Sequence, residues 1–169
     1  LLDEGWRVRV LTRDAGRVRD RSWFDRVDVH EGDATLRGVL SQACADVDAA
    51  YYLLHSMDGG GDFRQRDRDL ALSFGIAAQT ADVRRIVYLS GLHPAGELSP
   101  HLSSRVEVGD LLMASGVPTA VLQAAMVVGA GSASFEMLRH LTNRLPAMVA
   151  PTWLDSRIQP IAVRDVLHY

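Results

Sequence analysis

An α/β fold with a doubly wound parallel sheet is predicted by three features of this sequence. Apolar runs of strand length alternate with helical-period stretches along the whole chain, joined by short connections. Residues 86–89, Ile-Val-Tyr-Leu, run apolar without alternation, as a strand does when helices cover both faces of its sheet. That run stops at Ser90-Gly91, which delivers a small hydroxyl residue to the carboxyl edge, where open α/β proteins put their ligands.

The elements follow in order. Residues 6–12 alternate, Val8 and Val10 against Arg7 and Arg9, and predict a strand that ends beside Arg13. Arginine-rich residues 14–23 fit a short helix or loop with a solvated face. A shorter strand at residues 27–31 closes through Gly32-Asp33-Ala34. Leu36, Val39, Leu40 and Ala43 then recur at helical spacing within residues 35–45. The next strand, residues 49–54, leaves through His55-Ser56-Met57 into the flexible loop Asp58-Gly59-Gly60-Gly61. Residues 63–81 predict a long helix with Leu70, Phe74, Ala77 and Ala78 inward, and the strand ending at Ser90 comes after it. A further helix over residues 102–115 turns Val106, Leu111 or Leu112, and Met113 inward, with Gly116 closing it. Residues 119–128 begin as a buried strand, break at Gly129-Ala130-Gly131 and give way to a helix over residues 133–145. Pro160, inside residues 158–163, marks an edge or irregular strand. Right-handed crossovers would bring Arg13, Asp33, His55, Ser56, Ser90 and residues 124–127 to one edge of the sheet.

A length of 169 residues suits one domain with a real core. The formal charge of −3, from 18 basic and 21 acidic residues spread along the chain, offers no basic field for nucleic acid. Cys44, the one cysteine, excludes an internal disulfide and a multi-cysteine metal site; it reads as a buried structural thiol. No apolar run reaches the roughly 20 residues that span a bilayer, and no signal-peptide pattern opens the chain, so a soluble cytoplasmic protein is expected. Both ends look cut. Leu1-Leu2-Asp3-Glu4-Gly5 reads as the last turn of a helix closed by glycine, and residues 162–169 as a strand exit with a helix starting.

Several segments together resemble the NmrA-like NAD(P)H-binding proteins of the atypical short-chain dehydrogenase/reductase group. They are Val10-Leu11-Thr12-Arg13, Glu31-Gly32-Asp33-Ala34, Tyr51-Tyr52-Leu53-Leu54-His55-Ser56-Met57, residues 85–91, Ser104-Arg105-Val106-Glu107-Val108-Gly109, and Gln159-Pro160-Ile161-Ala162-Val163-Arg164-Asp165-Val166. The resemblance covers nearly the whole chain. It implies a Rossmann-like domain whose first strand and glycine-rich phosphate turn precede Leu1, the strand belonging between residues 6–12 and 49–54.

The same resemblance supplies roles. Arg13 stands where a guanidinium pairs with the ribose 2′-phosphate of NADP, which favours NADP over NAD, although Asp14 follows it. Asp33 matches the aspartate that receives the adenine amino group, with Ala34 beside the ring; an N-cap for the helix from Thr35 is the structural alternative. Leu54, His55 and Ser56 would pass under the ribose next to the nicotinamide, and Ser90, Gly91, Ala124, Ala125 and Met126 complete the cofactor-binding set. Reductases of the superfamily use a tyrosine and, four residues later, a lysine, often with a serine from the central strand. Those positions fall on His101 and Arg105, with Ser90 as the serine; Arg105 can still hold ribose hydroxyls but cannot relay protons. His101 and His93 read rather as loop residues than as catalytic groups. Gly59-Gly60-Gly61 lacks the lysine of a phosphate loop, and Gly129-Ala130-Gly131 is followed at position 134 by serine, so it resembles the substrate-side turn. The expected ligands are a dinucleotide and a small molecule, with no metal. The expected activity is hydride transfer to a small carbonyl or quinone, or alternatively cofactor sensing without turnover.

Overall fold

The computed structural model describes residues 1–55, 62–93, 96–129, 132–144 and 159–168. Among the described residues the strands and α-helices run in the order β1 (Arg9–Thr12), α1 (Gly16–Arg19), β2 (Asp28–Glu31), α2 (Arg37–Cys44), β3 (Ala49–Tyr52), α3 (Phe63–Thr80), β4 (Arg85–Gly91), α4 (Pro100–Met113), β5 (Thr119–Ala124), β6 (Met126–Val128), α5 (Ala133–Arg144), β7 (Pro160–Ala162) and α6 (Val163–Val166). All strand pairs are parallel, as helical crossovers require. The predicted single sheet is resolved into three sets, β1-β2, β3-β4-β5 and β6-β7. Among the described residues, β1 and β3 are not hydrogen-bonded to each other.

Helix ends follow local chemistry. Asp62 accepts from the Gln65 amide at the start of α3, and Ser99 from the Leu102 amide ahead of Pro100 in α4. Gly5 adopts φ 84° after a 3₁₀ turn at Leu2–Glu4, so the expected glycine closure is present. α3 and α4 pack closely because Gly75 has no side chain; a Cβ there would lie 2.8 Å from Ser115 Cβ.

The core lies between α2, α3 and α4 and one face of β3-β4-β5. Tyr52, Ile86, Tyr88, Phe74, Val108 and Leu112 fill it, and Tyr52 meets Phe74 and Tyr88 edge to face at 5.0 and 5.7 Å. Cys44 is buried here, and burial pushes its thiol up. Burial along these strands is uneven among the described residues. Ile86, Tyr88 and Ser90 are buried, but Val87 and Leu89 are only half-buried, while Tyr51 and Leu53 are 54% and 60% exposed. The α3–α4 layer covers one face, and the described residues put no helix over the other.

The inward face of α4 also differs from the sequence reading. Ser104, Val108 and Leu112 are buried at i, i+4, i+8, whereas Met113 is 52% exposed. The reason is Asp67, a buried carboxylate of α3, which accepts a hydrogen bond from the Ser104 hydroxyl at 3.2 Å. A buried carboxylate must be hydrogen-bonded, so a polar residue is drawn inward where an apolar one was expected.

Candidate functional site

Parallel pairing sets which residues share an edge. Thr12 is level with Glu31, and the Gly32 amide donates to Thr12, so Arg13 and Asp33 leave their strands together. Tyr52 is level with Tyr88, and Gly91 with Ala124. The Leu92 amide continues the ladder by donating to Ala124.

The first pair and the β3-β4-β5 set point the same way. α2 starts beyond the carboxyl end of β2 and ends before the amino end of β3. Arg9, first residue of β1, donates through Nη1 to the terminal α2 carbonyls of Gln42, Ala43 and Ala45 at 3.3, 3.1 and 2.8 Å, and through Nε to Asp28 at 2.7 Å. The amino ends of β1 and β3 are therefore neighbours, and their carboxyl ends form one edge.

At the β1–β2 end, Arg13 and Asp33 are both exposed. Asp33 Oδ1 accepts from the Thr35 amide at 2.9 Å and from the Thr35 hydroxyl at 2.8 Å. These bonds, with a smaller contribution from Arg13, hold the Asp33 carboxyl below its usual range. Asp33 is not the helix cap considered for it: α2 begins at Arg37, with Leu36 in the cap position. Ala34 is buried in the core cluster.

At the β3–β5 end, Leu54 packs on the core and His55 is exposed; Ser56 lies outside the described residues. Ser90 is 4% exposed and sits on the α4-covered face beside Tyr88. The Tyr88 hydroxyl donates to the Arg105 carbonyl at 3.3 Å. Burial raises the Tyr88 phenol, partly offset by Ser90 and Arg105. Arg105 is half-buried, its Nη2 donates to the Leu89 carbonyl at 3.3 Å, and its buried Nε has no partner among the described residues. A Cβ at Gly91 would press on Leu102 Cδ2 at 3.1 Å, while Arg105 Cδ would lie at an ordinary contact distance of 3.6 Å. His101 is exposed, with its ring 6.4 Å from that of Phe63. Ala124 and Met126 are half-buried, and Ala125 is the exposed bend between β5 and β6. Gly59, Gly60, Gly61, Ala130 and Gly131 lie outside the described residues.

Two features escaped the sequence reading. Gln123, level with Ser90, lies 2.9 Å through Nε2 from His93 Nε2; a lone amide in an apolar strand run was the available signal. Asp67 is not among the residues the pattern turns inward, yet it shares the 67, 71, 74, 78 spacing with the buried Ala71, Phe74 and Ala78.

Open parallel sheets with functional groups along the carboxyl edge define the nucleotide-binding α/β class. A family profile described as NAD(P)H-binding matches residues 1–127, and the chain belongs to that family. This upholds the resemblance read from the motifs. Solved structures share the Rossmann-like fold. WbmH from Bordetella bronchiseptica, in complex with NAD+, aligns with TM-score 0.74 and 18% identity over 99% of this chain and 63% of its own. The triphenylmethane reductase of Citrobacter sp., complexed with NADP(H), aligns with TM-score 0.62 and 18% identity over 80% and 45%. The NADPH-dependent quinone oxidoreductase of Escherichia coli aligns with TM-score 0.60 and 20% identity over 75% and 43%. The chain thus spans roughly half the length of such relatives. A search of curated proteins found no match. Among the described residues, no helix is long and apolar enough to cross a membrane.

Proposed function

We propose that this chain is the dinucleotide-binding part of an NADPH-dependent oxidoreductase that reduces a small carbonyl or quinone. The observation that carries this reading is the shared carboxyl edge, with Arg13 and Asp33 at one end and Gly91, Ala124 and Arg105 at the other. The residues suit the two ends of a dinucleotide. Arg13, charged and exposed, would pair with a ribose 2′-phosphate, and Asp33 would accept from the adenine amino group above Ala34. Leu54, His55 and Ser56 would lie under the second ribose. Ser90, Gly91 and the unpartnered Nε of Arg105 would face the nicotinamide end with Ala124, Ala125 and Met126. Bound NADPH would supply a hydride from its dihydronicotinamide ring.

The edges of β1 and β3 that carry no partner among the described residues suit an intervening strand with a glycine-rich phosphate turn, from a segment ahead of Leu1. Mixed surface charge and a single buried cysteine favour a cytoplasmic protein with no nucleic-acid partner. A second reading, cofactor sensing without turnover, draws on Arg105, which stands in the lysine position and donates to the Leu89 carbonyl. NADPH titration, followed by NADPH oxidation with a panel of quinones and aldehydes, tests both. Tight binding without turnover would leave the sensor; absence of binding, even by an N-terminally extended chain, would refute the whole reading.

A further inference from the structure

We propose that His93, held by Gln123, is the hydrogen-bond donor to the reducible oxygen of the substrate. The inference rests on the dinucleotide reading and goes beyond it by assigning a residue outside the tyrosine, lysine and serine positions. His93 follows β4 by two residues, and Gln123 is the β5 residue level with Ser90. Their Nε2 atoms are 2.9 Å apart. With the Gln123 amide nitrogen placed toward the ring it donates to His93 Nε2, and in that tautomer the ring proton is on Nδ1. Among the described residues, Nδ1 has no hydrogen-bond partner. The ring is half-buried, and the Leu92 amide bond to Ala124 fixes the chain beside it. The structure therefore holds an N–H donor at the carboxyl ends of β4 and β5, beside the residues assigned to the nicotinamide.

An oriented donor of this kind would stabilise the charge that develops on a carbonyl oxygen during hydride addition. In the assisted step the C4–H bond of the dihydronicotinamide breaks and its electron pair forms a C–H bond to the carbonyl carbon. The C=O π pair moves to the oxygen, which takes its proton from water. His93 keeps its own proton and acts through the hydrogen bond. Gln123 is a positioning residue that acts through His93.

The test uses the whole protein, NADPH and 9,10-phenanthrenequinone as the probe oxidant. His93→Ala is expected to lower kcat by 10²-fold or more, comparable to loss of one oxyanion donor, and to leave the NADPH dissociation constant within twofold. Gln123→Leu should lower kcat less and erase the Nδ1–H tautomer preference seen in ¹⁵N spectra of the ring; Gln123→Asn should partly restore both. An Nε2–H tautomer in the wild type, or unchanged kcat in His93→Ala, would overturn the inference. NADPH binding without quinone reduction by the wild type would overturn it and leave the cofactor reading standing. Failure of NADPH to bind would overturn both and is read directly from the titration.

Discussion

Arg9 is the tie between the two halves of the carboxyl edge, and Arg9→Met tests it while keeping an apolar stem. Its Nη1 has two protons for three carbonyls, so the 2.8 and 3.1 Å contacts to Ala45 and Ala43 carry most of the interaction. Bonds from a charged donor contribute about 1.5–3 kcal/mol each when sheltered. Here the side chain is 30% exposed, which places the pair near the low end. A cation at a helix C-terminus adds about 0.3–1 kcal/mol. The ion pair with Asp28, itself 65% exposed, adds only about 0.2–1 kcal/mol. Screening and partial overlap of these terms bring the expected loss to roughly 2 kcal/mol, within the ordinary range for breaking one such network. Urea unfolding should show this as a lower midpoint at unchanged slope. Asp28→Asn, which removes only the exposed ion pair, should cost about 0.5 kcal/mol. NADPH affinity should fall with Arg9→Met, because Arg13 and Asp33 would lose their fixed relation to β3–β5. Equal losses for the two variants would refute the assignment of Arg9 to the α2 carbonyls.

Arg13→Ala should weaken NADPH by about tenfold, the equivalent of about 1.4 kcal/mol for one charge-assisted contact, and leave NADH nearly unchanged; parallel fluorescence titrations read the ratio. Asp33 has a folded-state carboxyl held below its unfolded value, so its contribution is present above about pH 4 and lost as pH falls through the depressed folded value. Carboxyl ¹³C titration should find that lowered midpoint and see it return toward normal in Thr35→Ala. Gly75→Ala drives a methyl against Ser115 and should cost about 1–3 kcal/mol, with Gly75→Ala/Ser115→Gly recovering most of it in denaturant melts. Ser104→Val leaves the Asp67 carboxylate short of a partner and should cost about 1–3 kcal/mol; no loss would show that other contacts suffice to hold that carboxylate.

The order of elements and the identity of the edge were legible in the chain itself. Uninterrupted or alternating apolar residues name strands, the 3.6-residue period names helices, and parallel crossovers then force Arg13, Asp33, Ser90 and Ala124 to strand ends. These are local patterns whose consequences topology multiplies. Pairing across the fold decided what no local pattern contains: that Ser90 is buried beside Tyr88 and that Arg105 donates to the Leu89 carbonyl. It also decided that Asp67 draws Ser104 inward and that Gln123 meets His93. The Arg105–Leu89, Gln123–His93 and Ser104–Asp67 contacts join residues 16, 30 and 37 positions apart, and side-chain chemistry across such distances is set only when the chain has closed on itself.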